Sequence, residues 1–572
     1  MRAKIFGSIL MFSMIALLAG LAYTQMGMHE RYKVMSEENR LKIVPLMAPR
    51  GSIFDRHERV LAGDILSFKI SVIHNRIRNV DSLIDVLSPA LGISKETLSK
   101  NIRKSGKQPY SPVCLAREVE IEKAIQIEEI TMDYPEILFE VSAKREYMYG
   151  STGSSVLGYL GSINRSEFNR LKHYGYKIND VVGRDGVEKY YDEYLRGKHG
   201  GKQIEVDHRG REVAILGFKE PVSGKGLHLT IDVELQGFCD SLLIDKRGAI
   251  IVIDPATGAI FAMASAPGYD PGVFDDPSRV GELKKVLNNS EYPLLNRAVS
   301  GSYPPGSVFK PVVALAALEE KKITPNTTFE CPGHFTLGDT TFHCWLEKGH
   351  GTQDMRSAIK NSCNVYFFNI GLRVTAEKIF SFAKKWGLGC DTGIDLPNEN
   401  PGVLPGRFWK RKKFNENWYK GDTVNSAIGQ GYVLCSPLQI ARMMCVFANN
   451  GYLIKPYIVE KAGGVFINSA QKVKLEITQK NLEEVRMALK AVVNDVRGTG
   501  AKARLDSVVI SGKTGTAQTS KGRSHGWFAG FAPFENAKVV VVVFDEYGGK
   551  GGYYAAQTAG KVFQKACEMG IL

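Results

Sequence analysis

Five apolar segments with strand-like patterns fall into two groups, and a long, mainly helical stretch separates the groups. The first group is GAIIVIDPATGAIFAMASAP, which predicts two strands joined by a turn at Pro255 to Gly258. The second consists of SVVISGKTGTA, HGWFAGFAP and AKVVVVVFDE, followed by an alanine-rich helix predicted from Tyr554 to Glu568. Strands interrupted in sequence by helices favour one antiparallel sheet flanked by helices, in an α+β domain.

This sheet is not expected to be the whole fold, because 572 residues are too many for one core. Residues 40–225 mix strand-like runs, charged helical segments and frequent glycines, without a motif that carries chemistry. We therefore predict an elongated β-rich pedestal domain at residues 25–224 and the α+β domain at residues 225–572.

An uncharged apolar run extends from Ile5 to Tyr23, and Arg2 and Lys4 precede it. As a helix it spans roughly 28 Å, close to the thickness of a bilayer core. A cleavable signal peptide is the alternative, but its apolar region is usually shorter, and the small-residue cleavage site is poor here. Residues 1–24 are therefore predicted to form a cytoplasmic tip and a single transmembrane anchor.

The net charge of +14 does not by itself identify a partner. It fits a nucleic-acid binder weakly and a protein at an anionic membrane or polymer surface equally well. No other feature supports nucleic acid, which is not expected as a partner.

The sequence YPPGSVFKPVVALAALEE places Ser307 and Lys310 three residues apart at the start of an apolar helical run. Residues i and i+3 share one helix face, so the lysine amine can reach the serine hydroxyl. Pro311 is tolerated in a first helical turn, which predicts that the helix starts close to Ser307. A serine at the positive end of a helix dipole, beside a lysine, is typical of an activated nucleophile.

A second motif, NSCN, places Ser362 and Asn364 on either side of a cysteine. The serine can relay a proton, and the asparagine amide can hold the lysine or a substrate carbonyl.

The third motif is SGKTGTAQT at the end of a β-branched strand. A cation and two hydroxyls on one strand suit a peptide carboxylate, and Gly515 allows a substrate backbone to approach closely. The backbone N–H groups of Ser307 and Thr516 are candidates for an oxyanion hole. A phosphate-binding loop is disfavoured, because no glycine precedes the Gly-Lys pair at the required spacing.

Each motif is weak alone, but together and in this order they match the serine acyltransferase set of β-lactamases and penicillin-binding proteins. The predicted catalytic residues are Ser307, Lys310, Ser362, Asn364 and Lys513. The predicted substrate-binding residues are Thr514, Gly515 and Thr516.

The chain resembles the class B penicillin-binding proteins, the membrane-anchored peptidoglycan transpeptidases of bacteria, and among them the elongation type, penicillin-binding protein 2. The resemblance extends from the anchor to the C-terminus and includes APRGSIFDR, GRDGVEKYYDEYLRG, LLNRAVSGSYPPGS and GDTVNSAIGQGYVLCSPLQIARMM. It departs from the family at Glu58, where glycine is usual, and this departure concerns only one turn of the pedestal domain.

The resemblance implies a serine transpeptidase domain at residues 225–572. In it, Ser307 attacks the D-Ala-D-Ala carbonyl of a stem peptide and expels the last D-alanine. Lys310 takes the serine proton, Ser362 relays a proton to the leaving amine, and Asn364 positions Lys310 and the donor. An amine from a neighbouring stem peptide then takes the acyl group and closes a crosslink.

The resemblance also implies that Lys513, Thr514 and Thr516 bind the terminal carboxylate and that β-lactams acylate Ser307. Expected partners are peptidoglycan stem peptides, a polymerising glycosyltransferase of the SEDS type that docks on the pedestal, and other membrane proteins of the elongation complex. The expected location is the bacterial inner membrane, single-pass, with the bulk of the chain in the periplasm.

The nine cysteines are an odd number, so at least one has a role other than a disulfide. A possible structural zinc site comprises Cys331, Cys344, His350 and Cys363, with 12, 5 and 12 residues between successive ligands. The resemblance supports it, because some penicillin-binding proteins 2 hold a metal at the corresponding positions. His343 and His334 are alternative nitrogens, and a disulfide or three buried thiols are alternative interpretations.

Two other functions share these motifs. A β-lactamase or β-lactam sensor differs in the fate of the acyl-enzyme, and the anchor and long spacer argue against a secreted lactamase. A catalytically idle scaffold that activates a glycosyltransferase is disfavoured, because all motif residues are present.

Overall fold

A computed structural model describes residues 2–105, 112–134, 136–177, 180–206, 212–519 and 522–572. The chain divides into two compact units, neither of which is continuous in sequence. The smaller unit contains residues 1–51, 64–144 and 196–224, and the larger contains residues 52–63, 145–195 and 225–572. All sequence-predicted site residues therefore belong to the larger unit.

The N-terminal apolar run is helical, as predicted. Helix Arg2–Ala22 continues through a π-helical turn, Tyr23–Gly27, and is followed by helix His29–Arg40. The 24 residues from Lys4 to Gly27 are long and apolar enough to cross a membrane. The helix is thus a candidate for a single membrane span.

The smaller unit contains an antiparallel sheet and a separate mixed cluster. The sheet places strand Gly200–Val206 between Leu41–Leu46 and Glu212–Lys219. The cluster packs helices against strands around buried aliphatic residues. Its helices are Val80–Leu91, Lys95–Ser105 and Ile121–Ile130, and its strands are the later part of Val60–Ile73, Pro112–Val119 and most of Ile137–Tyr147.

The larger unit is built on one antiparallel sheet of five strands, as predicted. In spatial order the strands are Ile260–Ala266, Gly248–Ile253, Val539–Asp545, His525–Ala532 and Ser511–Ala517. Every residue of the first four strands is buried, because helices cover the sheet. This explains why their sequences are continuously apolar and do not alternate between apolar and polar residues.

One of the helices that pack on the sheet, Pro437–Ala448, begins with a well-defined cap. Ser436 forms a capping box with Gln439, and Pro437 occupies the first turn of helix Pro437–Ala448. The predicted C-terminal helix is confirmed at Tyr554–Glu568. The other helices of this unit that are relevant to the site are Val233–Ser241, Val280–Leu287, Lys310–Glu319, Met355–Lys360, Asn364–Val374, Ala376–Lys385, Arg407–Phe414, Lys420–Ala427 and Gln479–Asn494.

The turn at Glu58 forms although glycine is missing. Glu58 has a φ of 64°, in the left-handed region that glycine favours. The buried Asp55 carboxylate stabilises the turn by accepting the backbone N–H of Arg59 at 2.9 Å. The Arg59 side chain then bridges Asp55 and Asp232, the cap of helix Val233–Ser241. This network fixes residues 52–63 to the larger unit.

Candidate active site and metal cluster

Ser307 lies in the 3-10 turn Gly306–Phe309, which leads directly into helix Lys310–Glu319. The predicted helix start near Ser307 is therefore confirmed, although the α-helix itself begins at Lys310. Pro311 lies within its first two positions, where its missing N–H does not interrupt a helical hydrogen bond.

Two glycines bring the serine turn against the strand that carries the third motif. Gly306 has a φ of 55°, and a Cβ there would lie 2.8 Å from the carbonyl oxygen of Thr516. A Cβ on Gly515 would lie 2.9 Å from the carbonyl oxygen of Pro305. Because side chains would separate these segments, the glycines allow the first and third motifs to meet.

Lys310 connects the first motif to the second. Its side chain is fully buried, and its Nζ donates to the Ser362 carbonyl oxygen at 2.8 Å and to Asn364 Oδ1 at 2.8 Å. Ser362 Oγ lies 3.3 Å from the same nitrogen. Burial lowers the pKa of Lys310 to about 8, so a substantial neutral fraction is available near neutral pH.

Ser362 has an unusual backbone. Its φ is 53°, which costs a non-glycine residue roughly 1–2 kcal/mol. The conformation closes helix Met355–Lys360, because the following N–H, that of Cys363, donates to the Ala358 carbonyl at 2.9 Å. It also directs the Ser362 carbonyl to the lysine, so the strain accompanies placement of the second motif.

Lys513 is a second fully buried lysine, and its Nζ donates to the Thr514 carbonyl at 2.9 Å. Burial, reinforced by the nearby Lys310, lowers the pKa of Lys513 well below its ordinary value. In the described parts of the chain, no carboxylate lies within 4.0 Å of either lysine amine. The site formed by Ser307, Lys310 and Lys513, called the cleft below, therefore has two amines and no counter-ion among the described residues, which suits an anionic ligand.

The third motif lies on an edge strand. Strand Ser511–Ala517 pairs on one side with His525–Ala532 and is the last strand of the sheet. An edge strand can pair with an extended peptide through its outer backbone groups. Thr514 is buried, whereas Thr516 Oγ1 accepts the Gly551 N–H at 3.3 Å.

Four potential metal ligands converge beside the second motif. Cys331, Cys344, His350 and Cys363 each place one ligand atom within 4.8 Å of all the others. The Nδ1 atom of His350 lies 3.6 Å from Cys331 Sγ and 3.5 Å from Cys344 Sγ. With zinc bonds of about 2.0 Å to nitrogen and about 2.3 Å to sulfur, a tetrahedral site separates these atoms by about 3.5 Å, which agrees with both distances.

The surroundings of the sulfur atoms also fit a metal site. The three cysteines are buried, and backbone N–H groups of Leu346 and Tyr366 donate to Cys344 and Cys363. The hydrogen bond between Cys344 and Cys363 lowers the pKa of Cys344 and raises that of Cys363. The two sulfurs thus share one proton, which a cation can replace.

A disulfide and the alternative histidine ligands fit less well, whereas three buried thiols agree with the structure. All nine cysteines lie in described parts of the chain and are free thiols, so no disulfide is formed. His334 and His343 face each other across the hairpin of strands His334–Leu337 and Thr340–His343, are exposed, and are not part of the cluster.

Asn364 joins the cluster to the cleft. Its backbone N–H donates to Cys344 Sγ at 3.4 Å, and its Nδ2 donates to the His343 carbonyl at 3.3 Å. The side-chain oxygen of Asn364, Oδ1, accepts the hydrogen bond from Lys310. The cysteine cluster therefore contacts the residue that holds the lysine.

Sequence reasoning missed two supporting residues. The Gln353 amide nitrogen donates to the His350 carbonyl at 2.9 Å, and its oxygen accepts from Asn361 Nδ2 at 2.8 Å. Trp345 Nε1 donates to the Asn361 carbonyl at 3.0 Å. Both follow a cluster ligand closely in sequence, which was the only signal available for them.

Comparison with known proteins agrees with this geometry. The family model for the penicillin binding protein transpeptidase domain matches residues 248–568, and that for the penicillin-binding protein dimerisation domain matches residues 45–229. The chain belongs to the penicillin-binding protein transpeptidase family. The matched transpeptidase region includes all three motifs and all four cluster residues.

Curated relatives match over nearly the whole chain. The peptidoglycan D,D-transpeptidase MrdA of Haemophilus influenzae is 33% identical, over 96% of this chain and 89% of its own length. MrdA of Escherichia coli is 30% identical, over 94% of this chain and 89% of its own length.

Solved structures give the same result. PBP2 of Helicobacter pylori, in its complex with MreC, has a TM-score of 0.82 and 31% identity, covering 93% of this chain and 100% of that chain. A chain of a peptidoglycan synthase complex that coordinates polymerization and crosslinking has a TM-score of 0.75 and 32% identity, covering 100% of this chain and 99% of that chain.

Proposed function

We propose that the chain is a peptidoglycan D,D-transpeptidase in which Ser307 forms an acyl-enzyme with the D-Ala-D-Ala end of a stem peptide. The observation that carries the proposal is the buried Lys310 amine, which lies three residues from Ser307 and has its pKa lowered to about 8. A neutral amine in this position takes the serine proton as the hydroxyl attacks the carbonyl carbon.

The other motif residues would complete the reaction. Ser362 passes the proton to the leaving D-alanine amine, and the amine of a second stem peptide then displaces Ser307. The N–H groups of Ser307 and Thr516 stabilise the oxyanion.

Lys513 would bind the substrate carboxylate, together with Thr514 and Thr516, because a bound carboxylate offsets the burial that lowers the pKa of the Lys513 amine. Gly515 lets the peptide lie against the strand edge. The same features accommodate a β-lactam, whose carboxylate and reactive carbonyl resemble the donor.

The cysteine cluster is proposed to hold one structural zinc ion through Cys331, Cys344, His350 and Cys363. The fit rests on three buried sulfur atoms, the converging imidazole and the N–H groups directed at sulfur. When bound, zinc supplies a fixed tetrahedral crosslink and leaves no open position for chemistry. Asn364, which contacts both Cys344 and Lys310, would then hold Lys310 in place.

The proposed setting follows from the anchor and the relatives. The span Lys4–Gly27 would hold the chain in the bacterial inner membrane, with residues 25–224 as pedestal and 225–572 as transpeptidase domain in the periplasm. The relatives solved with MreC and in a peptidoglycan synthase complex support an elongation role with a SEDS-type glycosyltransferase as partner.

Intact-protein mass spectrometry after a β-lactam pulse tests this function. We expect an adduct on the peptide containing Ser307 that is stable for many minutes and missing from Ser307→Ala. Rapid loss of the adduct with release of hydrolysed drug would instead indicate a β-lactamase. No adduct on either protein would indicate an idle scaffold.

A further inference from the structure

A short basic helix stands on the surface of the larger unit. Residues 406–420 contain six lysines and arginines and one glutamate. Helix Arg407–Phe414 has the sequence RFWKRKKF, and its C-terminal end is fixed by Asn415, whose N–H donates to the Arg411 carbonyl at 2.9 Å. The positive charge is therefore concentrated on a folded element.

Two aromatic rings of this helix pack on each other and on Tyr432. The Trp409 ring lies 5.6 Å from Phe414 and 5.4 Å from Tyr432, measured between ring centroids. Phe414 and Tyr432 are 5.2 Å apart, and the Lys413 amine lies over the Trp409 ring at 5.1 Å. We call helix Arg407–Phe414 and Tyr432 the basic aromatic surface.

The charges of this surface divide into anchoring and outward groups. Lys410 is buried and pairs with Asp422 at 2.8 Å and with Glu416 at 3.4 Å. Arg411 and Lys412 are exposed, and within the described ranges neither has a carboxylate within 4.0 Å. The outward cations are thus free to pair with an external anion.

Backbone hydrogen bonds connect this surface to the serine turn. Gly306 donates to the Gly429 carbonyl at 2.9 Å, and Tyr303 and Cys435 exchange two backbone hydrogen bonds of 2.9 Å. Tyr432 lies between these two contacts, three residues from Gly429, which is at most about 11 Å of chain. The segment that carries Tyr432 is therefore attached to the serine turn on both sides.

We propose that the basic aromatic surface binds the peptidoglycan strand outside the cleft and guides its stem peptides to Ser307. This inference rests on the proposed function, because it takes that substrate as given. Free stem-peptide carboxylates would pair with Arg411 and Lys412, and the apolar faces of the sugars would pack on exposed rings such as Phe408, which is 81% exposed.

A membrane surface is the competing partner for a basic helix, but the packing does not favour it. A helix that lies in a membrane presents a continuous apolar face to the lipid. Here Trp409 and Phe414 pack on Tyr432. The helix is also only 8 residues long.

Sedimentation with sonicated peptidoglycan sacculi tests the proposal. The full chain in detergent is first saturated with a β-lactam, so that the cleft is occupied and binding reports the outer surface. The double variant Arg411→Gln with Lys412→Gln should bind about 5-fold more weakly at low salt, since each exposed ion pair contributes modestly. The matched control is Lys284→Gln with Lys285→Gln, two exposed lysines on another helix of 8 residues.

The expected result is weaker binding by the first variant alone, and sacculi with amidated carboxylates should bind both variants and wild type equally. Unchanged sedimentation of the first variant overturns the proposal. The proposal is also overturned if the variant Arg411→Gln with Lys412→Gln binds sacculi normally and loses binding only to phosphatidylglycerol vesicles. The β-lactam adduct reports the proposed function separately, so its failure to form would contradict that function and not the surface.

Discussion

The reaction cleft and the cysteine cluster share one short segment, residues 362–364, and suit ligands of opposite charge. The cleft buries the amines of Lys310 and Lys513, and no carboxylate pairs with either in the described chain. The cluster buries three thiols and an imidazole. The cleft is therefore suited to an anion and the cluster to a cation.

Residues 362–364 belong to both regions. Ser362 and Asn364 accept hydrogen bonds from Lys310, whereas Cys363 belongs to the cluster. Rigid attachment of Cys363 should therefore hold its two neighbours in their reactive positions, which costs backbone strain at Ser362. We propose that the cluster contributes to the reaction by positioning these two residues.

The largest effect is expected from removal of the base. Lys310→Met should slow acylation of Ser307 by a β-lactam about 10³-fold, the usual size of a general-base effect. Its melting temperature should change by only a few degrees, because the removed cost of burying an amine offsets the hydrogen bonds lost at Ser362 and Asn364. Stopped-flow acylation with calorimetry measures both, and a near-normal rate in a folded variant would contradict the role of Lys310.

A smaller effect is expected from removal of the carboxylate-binding amine. Lys513→Met should reduce acylation by a carboxylate-bearing β-lactam about 100-fold, because the ligand charge then remains unpaired in the cleft. The methyl ester of the same drug is the matched control and should lose little. Equal losses with acid and ester would show that Lys513 does not bind the carboxylate.

Disruption of the cysteine cluster should slow acylation of Ser307 indirectly, through Ser362 and Asn364. Cys363→Ser should lose bound zinc and acylate about 10-fold more slowly, as is typical when support of a site is removed. Cys567→Ser, on the C-terminal helix, is the control and should change neither quantity. Full zinc occupancy in Cys363→Ser, measured by plasma mass spectrometry, would rule out the assignment of Cys363.

The smallest effect concerns pH. The neutral form of Lys310 is the base, so the acylation rate should rise as pH increases through its pKa of about 8 and level off above it. At pH 8 the rate should therefore be about half of its plateau value. An acylation rate that is independent of pH between about 6 and 9 would contradict the role of Lys310 as the base.

Sequence was sufficient for the elements whose patterns are local. The five strands and the helix Tyr554–Glu568 follow from apolar runs and turn residues, and the structure confirms them. The structure also brings Ser362 and Asn364 to Lys310, as the motif order predicts. It also brings together the four cluster residues, which their donor types and the family resemblance indicated and their spacing alone did not.

Features that depend on distant contacts could not be predicted. The strand of the third motif begins at Ser511, although the apolar pattern starts earlier. The positive φ of Ser362 belongs to the closure of helix Met355–Lys360 by the Cys363 N–H. Residues 145–195 join the larger unit through contacts such as the hydrogen bond from the Tyr191 hydroxyl to the Asp395 carboxylate at 2.8 Å. The predicted domain boundaries and residue roles stay predictions.

Native mass spectrometry of the full chain during a β-lactam pulse tests the link between the two regions most directly, because one spectrum reports bound metal and covalent drug on the same molecule. The account predicts that acylated molecules carry one zinc ion and that metal-free molecules acylate more slowly at Ser307. Equal acylation of metal-free and metal-loaded molecules would contradict it.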